Sequence, residues 1–184
     1  MDLGRPWVLR GIVIALAVVV AIIAWVATSG DDGGDGSSTS AGSGMDAKIV
    51  SEGELADFAA TAGHPVYWAG PIEGAELELS EDKAGNVTVR YLSEGAEVGT
   101  DRVRSLAVGS YPLEDPMAEL DAFAESPGAI VGETSEGEKM VSNEQAPGSV
   151  YFVNPENTVQ IEVYTPSPQR SMKLVRSGGI EPVG

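Results

Sequence analysis

The sequence predicts an α+β fold, with antiparallel sheet and about three packed helices, carried behind one membrane-spanning helix and a flexible tether. Three observations predict it. Residues Gly11 to Ala27 run without a single charge. Ser29 to Met45 is almost wholly Gly, Ser, Thr and Asp. From Asp46 onward, capped helical stripes intersperse with hairpin patterns, the sequence grammar of helices laid mainly on one face of a sheet.

The apolar run sets the organisation. At ~1.5 Å per residue it makes a helix of about 25 Å, and Trp7–Leu9 and Thr28 extend it across a hydrocarbon layer of ~30 Å. Arg5 and Arg10 precede the span and Asp31, Asp32 and Asp35 follow it. Basic residues are retained on the cytoplasmic side, so residues 1–6 form a cytoplasmic tail and 7–28 the transmembrane helix. Residues 29–45 are then a linker, and 46–184 a domain outside the plasma membrane. The rival is a cleaved signal peptide, with Ala27-Thr28-Ser29 as its only passable cleavage pattern. The apolar core is longer than the ~7–15 residues of such peptides. No cysteine is present, so a lipid-modified cysteine anchor is excluded.

The linker cannot bury apolar area and reads as a flexible coil. Its DDGGDG segment resembles a calcium loop only superficially. Counted from Asp31, the next ligand position is Gly33 and the closing-Glu position is Gly42, neither with a side chain to offer.

Within the domain the elements follow in order. Ser51 and Glu54 form a capping box, Val50 and Leu55 a hydrophobic staple, and Leu55, Phe58, Ala59 and Ala62 an apolar stripe ending at Gly63. Val66–Ala69 is a short strand. Glu76–Leu79 and Asn86–Leu92 alternate around the turn Glu81–Gly85, which makes a hairpin. Leu106–Tyr111 is a further strand. Asp115-Pro116 opens a second helix with Met117, Leu120, Phe123 and Ala124 on its buried face. Ala129–Gly132 with Lys139–Ser142, and Val150–Val153 with Thr158–Tyr164, read as two more hairpins. Ser167-Pro168 opens a last helix that stops before Gly178-Gly179, and Ile180–Val183 closes as a strand.

The two halves also read alike. PVYWAGP, VTVRYL and a helix opened by Asp115-Pro116 stand against SVYFVNP, VQIEVY and a helix opened by Ser167-Pro168. A pseudo-duplicated strand-strand-helix-strand unit and a shared folding grammar both account for this.

The runs GHPVYWAGP, VTVRYL, LAVGSYP and QIEVYTPSP, within Glu52 to Val183, resemble an uncharacterised family of small, membrane-anchored actinobacterial extracytoplasmic domains. The resemblance implies an address in the cell envelope and no activity. Few lysines with much Ala, Gly, Val and Glu point to a GC-rich bacterial genome, with a salt-adapted archaeon as the alternative.

Charge narrows the partners. The chain carries 28 acids and 11 bases, a formal net charge of −17. From Asp46 on there are 24 acids and 9 bases, a net −15. Phosphates are repelled by such a surface, which argues against nucleic acid.

Motifs that carry chemistry are scarce. His64 follows the first helix, and no G-x-S-x-G accompanies it, so a Ser/His/Asp mechanism lacks its nucleophile motif. One histidine without cysteine argues against a zinc site, and nothing calls for a cofactor. Carboxylate pairs arise by chance in so acidic a domain. Glu76 and Glu78 read as the wet face of a strand, and Glu133, Glu136 and Glu138 as an exposed turn.

Two candidate surfaces remain. Tyr67, Trp68, Tyr151 and Phe152, joined by Tyr111 and Tyr164, would form an aromatic platform for sugar or peptide if they reach the surface, the tyrosines being expected as the more exposed members. Core packing is the competing explanation. Arg170, Lys173 and Arg176 share one face of the last helix as a docking patch, unless they serve only to pair with carboxylates or offset the helix dipole. The expected function is therefore a non-enzymatic binding or interaction domain. Its partners are the membrane, by an integral single span, and a protein or cell-wall component. A carboxylate-dependent envelope hydrolase is the alternative.

Overall fold

The computed structural model describes residues 47–99, 105–156 and 158–184. Ten strands and three helices are described: β1 Lys48–Val50, α1 Glu52–Ala59, β2 Tyr67–Trp68, β3 Ala75–Glu81, β4 Val87–Ser93, β5 Ala107–Pro112, α2 Pro116–Ala124, β6 Ala129–Glu133, β7 Lys139–Asn143, β8 Ala146–Val153, β9 Val159–Tyr164, α3 Pro168–Arg176 and β10 Glu181–Pro182. The expected span and linker lie outside the described residues. Among the described residues no helix is long and apolar enough to cross a membrane.

Eight strands form one antiparallel sheet in the order β1-β3-β4-β5-β9-β8-β7-β6, and β10 pairs with β2 in a separate ribbon. The expected hairpins β3–β4, β6–β7 and β8–β9 all form. The last two merge through β7–β8 into a four-strand meander, which joins the first half where β5 pairs with β9. In this topology the similar runs of the two halves take different places. Tyr67–Trp68 lies outside the main sheet while Tyr151–Phe152 lies on β8 within it.

Alternation along each strand sorts side chains onto two faces. The front face carries Leu77, Leu79, Val87, Val89, Val108, Val150, Phe152, Ile161 and Val163, which pack with Leu55 of α1, Tyr67 of β2 and Val175 of α3. The back face carries Val141, Tyr151 and Val153, which pack with Leu120 and Phe123 of α2. Two of the three helices, α1 and α3, share the front face, in keeping with helices mainly on one face, and α2 alone covers the opposite face. The reason is local. Val150–Val153 is apolar without interruption, so both sides of β8 have area to bury.

The helix ends follow their local signals with small adjustments. Ser51 and Glu54 form the capping box, and Asp115 Oδ1 accepts from Ala118 N–H at 3.0 Å. Ser167 makes no side-chain cap, so Pro168 alone marks that start. α1 ends at Ala59, three residues before its apolar stripe runs out, and the chain tightens there into i→i−3 turns, Thr61 N–H donating to the Phe58 carbonyl at 2.9 Å and Ala62 N–H to that of Ala59. Met117, expected on the buried face of α2, is exposed. β1 is a strand that local pattern did not announce, formed where Lys48 and Val50 pair with Leu79 and Leu77.

Candidate functional site

The aromatic platform does not assemble. Tyr67 is 2 % exposed and Tyr151 2 %, against 5 % for Phe152, and Trp68 is the most exposed of the four. Tyr67, Trp68 and Phe152 pack in the front core, whereas Tyr151 meets Phe123 edge-on in the back core, ring centroids 5.2 Å apart. The expectation that the tyrosines are the exposed members is thus reversed. β2 is not an open-face strand but a flap pinned onto the front of the sheet. Ser110 Oγ accepts from Tyr67 N–H at 2.9 Å, and the Tyr91 hydroxyl accepts from Ala69 N–H at 2.7 Å while donating to the Gly70 carbonyl. Burial pushes the Tyr91 phenol up to about 12.

The phenols that reach the back face converge on one carboxylate. Glu162 of β9 is 6 % exposed and accepts from three hydroxyls: Tyr111 of β5 at 2.8 Å, Tyr151 of β8 at 2.8 Å and Ser149 of β8 at 2.6 Å. Burial first, and then the Glu162 charge, raise the Tyr111 and Tyr151 phenols well above their ordinary value. A carboxylate so fully supplied with donors is a structural hub, since each lone pair engaged here is unavailable to a substrate. Sequence reading missed Glu162. Its signal was a Glu between Ile161 and Val163 on a strand with sheet neighbours on both sides.

Further along the back face, Arg90 Nη2 donates to Glu78 Oε2 at 2.7 Å, a pair with side-chain exposures of 6 % and 5 %. The same oxygen accepts from Gly99 N–H at 2.7 Å, which draws the loop after β4 over the ion pair. Glu78 is therefore not the wet-face residue expected from alternation, although Glu76 is exposed. Glu133 and Glu136 are exposed, as expected for that segment. Glu138 is half-buried instead, and burial raises its carboxyl above the usual range.

His64 is tied to the turn between β3 and β4, its Nε2 lying 2.8 Å from the Gly85 carbonyl and its Nδ1 3.0 Å from that of Pro65. Both nitrogens face backbone oxygens, an arrangement that positions a turn. Among the described residues no cluster of three His, Asp or Glu is placed to hold a metal. An open groove of about 470 Å³ runs between the start of α1, β1 and Pro71–Ile72, with Glu52, Glu54 and Glu76 on its walls. Hydrogen bonds from the Ser51 N–H and hydroxyl hold the Glu54 carboxyl below the usual range.

Arg170, Lys173 and Arg176 stand in a different condition. All three are exposed on α3, a helix with no acidic residue, and none has a carboxylate within ion-pair distance among the described residues. The base of the helix is fixed firmly: Ser171 Oγ donates to the Gly148 carbonyl at 2.7 Å and shares a hydrogen bond with the Thr165 hydroxyl. At the other end, Ser135 N–H donates to the Arg176 carbonyl at 3.0 Å, and the Arg176 guanidinium lies over Gly132 of β6. That strand ends the sheet and exposes Ile130 and Val131. Of the sequence-derived candidates the structure therefore keeps the three cations at the surface and disperses the aromatics. Comparison with family models, with curated proteins and with solved structures finds no match.

Proposed function

We propose that this chain is a single-pass protein of the bacterial cell envelope, N-terminus in the cytoplasm, whose α+β domain outside the plasma membrane binds a partner without turning it over. The family resemblance read from the sequence and the charge-free run Gly11–Ala27 support the address. One observation carries the binding reading. Arg176 lies over the open strand β6, with Lys173 and Arg170 exposed on the same helix, and none of the three has an ion-pair partner among the described residues, in a chain of net charge −17. In so acidic a molecule, cations left without acids steer an anionic partner to one place. The buried carboxylates, by contrast, are occupied within the fold.

The test is a photo-crosslinking residue placed in the full chain in intact cells. It replaces the exposed Ile130 of β6 in one version and the exposed Lys83, on the distant β3–β4 turn, in a control version. A discrete adduct at 130 and none at 83 supports the reading. Equal labelling at both positions, or none at either, overturns it.

A further inference from the structure

We infer that the outer edge of β6 takes up an extended, acidic segment of a partner protein as a ninth strand of the sheet. This rests on the binding reading above and names the class of partner.

The backbone makes the edge available. Glu144 N–H donates to the Gly128 carbonyl and Thr134 N–H to the Glu138 carbonyl, so these two pairs bracket the β6–β7 ladder. In an antiparallel ladder inward and outward residues alternate. Ile130 and Gly132 therefore point their peptide groups toward β7, and Val131 and Glu133 point theirs outward. Among the described residues no strand pairs with that side.

The opposite edge is defended and this one is not. β1 is three residues long and carries Lys48, the usual means of blunting an edge. β6 has five residues and neither Lys nor Pro, and leaves Ile130 49 % and Val131 54 % exposed. A strand of that character is what strand addition uses, main-chain hydrogen bonds giving affinity and alternate side chains specificity.

Charge selects the occupant. A β-carbon on Gly132 would lie 2.7 Å from Met140 Cε and 3.5 Å from Arg176 Nη2. Met140 thus keeps the position bare, and the bare position lets the guanidinium lie on the strand. Lys173 and Arg170 continue the positive stripe along α3. An added strand with acids on its front face meets Arg176, with Lys173 and Arg170 further along the same helix adding to the positive field, while its apolar residues on the back face cover Val131. A second copy of this chain fits worse. Isologous pairing through β6 would bring two Arg176 side chains together and join two molecules of net charge −17.

The probe is a fluorescein-labelled peptide of about ten residues, the upper end of ordinary strand length, alternating Glu and Val. It is titrated by anisotropy against the detergent-solubilised full chain. Binding should weaken about tenfold or more when Lys replaces Glu, and likewise when alternate amides of the peptide are N-methylated. Val131→Pro removes an outward N–H and no inward one, so it should abolish binding without changing the melting temperature. Arg176→Ala should weaken binding and flatten its salt dependence. Should Val131→Pro fail to fold, hydrogen exchange on the unmodified chain decides: peptide should slow the amides of Val131 and Glu133 and spare Ile130 and Gly132. Equal binding of the Lys peptide, full binding by a folded Val131→Pro chain, no binding at all, or protection of these amides by self-association overturns the inference. The crosslink at residue 130 reads the broader binding function independently of any of these results.

Discussion

Tyr111 folds back over Gly109 on its own strand, and its hydroxyl reaches Glu162, the residue that faces Gly109 across the β5–β9 ladder. A side chain at position 109 would occupy the space of the phenol. Gly109→Ala should therefore cost about 1–3 kcal/mol by overpacking. In a Tyr111→Ala background the same change should cost much less, and urea denaturation of the four chains measures the coupling. Additive costs would show that the ring does not fill that space.

The raised phenols carry a pH dependence with a definite sign. Tyr91, Tyr111 and Tyr151 hold their protons more tightly folded than unfolded. Their stabilisation is complete below the ordinary tyrosine value of about 10 and is lost as pH rises above it through the folded values. Thermal unfolding between about pH 9 and pH 12 should show stability falling in that window. Tyr151→Phe should flatten the fall and lower stability at neutral pH by about 1–3 kcal/mol, because one donor to the buried Glu162 is lost.

Glu78 and Arg90 should show the asymmetry of a buried pair. Glu78→Leu alone should destabilise by about 3–5 kcal/mol, since it leaves a buried cation without its carboxylate and frees the loop at Gly99. Adding Arg90→Leu should recover part of that loss. A double variant no better than the single one would mean that the pair contributes mainly through shape.

Leu55 anchors α1 more strongly than Phe58 does, being fully buried where Phe58 is only partly so. Leu55→Ala should cost about 2–5 kcal/mol, and Phe58→Ala should fall below the ~3–5 kcal/mol of a fully buried Phe. Chemical denaturation ranks the two directly.

For the proposed topology, protease added to intact spheroplasts should remove a C-terminal tag and spare one at Met1. The reverse pattern would refute the orientation drawn from Arg5 and Arg10.

By itself the sequence determined the local elements. Caps at Ser51 and Asp115, Pro168 at the head of α3, and alternation in β3, β4 and β9 act over a few residues, and each element formed close to where it was read. It also determined that α3 carries a stripe of cations. Tertiary structure decided which strands are neighbours, which face each helix covers, and hence which polar residues are buried. Tyr111 and Glu162 are 51 positions apart, and only the pairing of β5 with β9 brings them together. The same holds for the edge. Ala129–Glu133 reads as a strand from its own residues, but whether its outward peptide groups are paired or open depends on where the sheet stops, which long-range packing settles and local pattern does not encode.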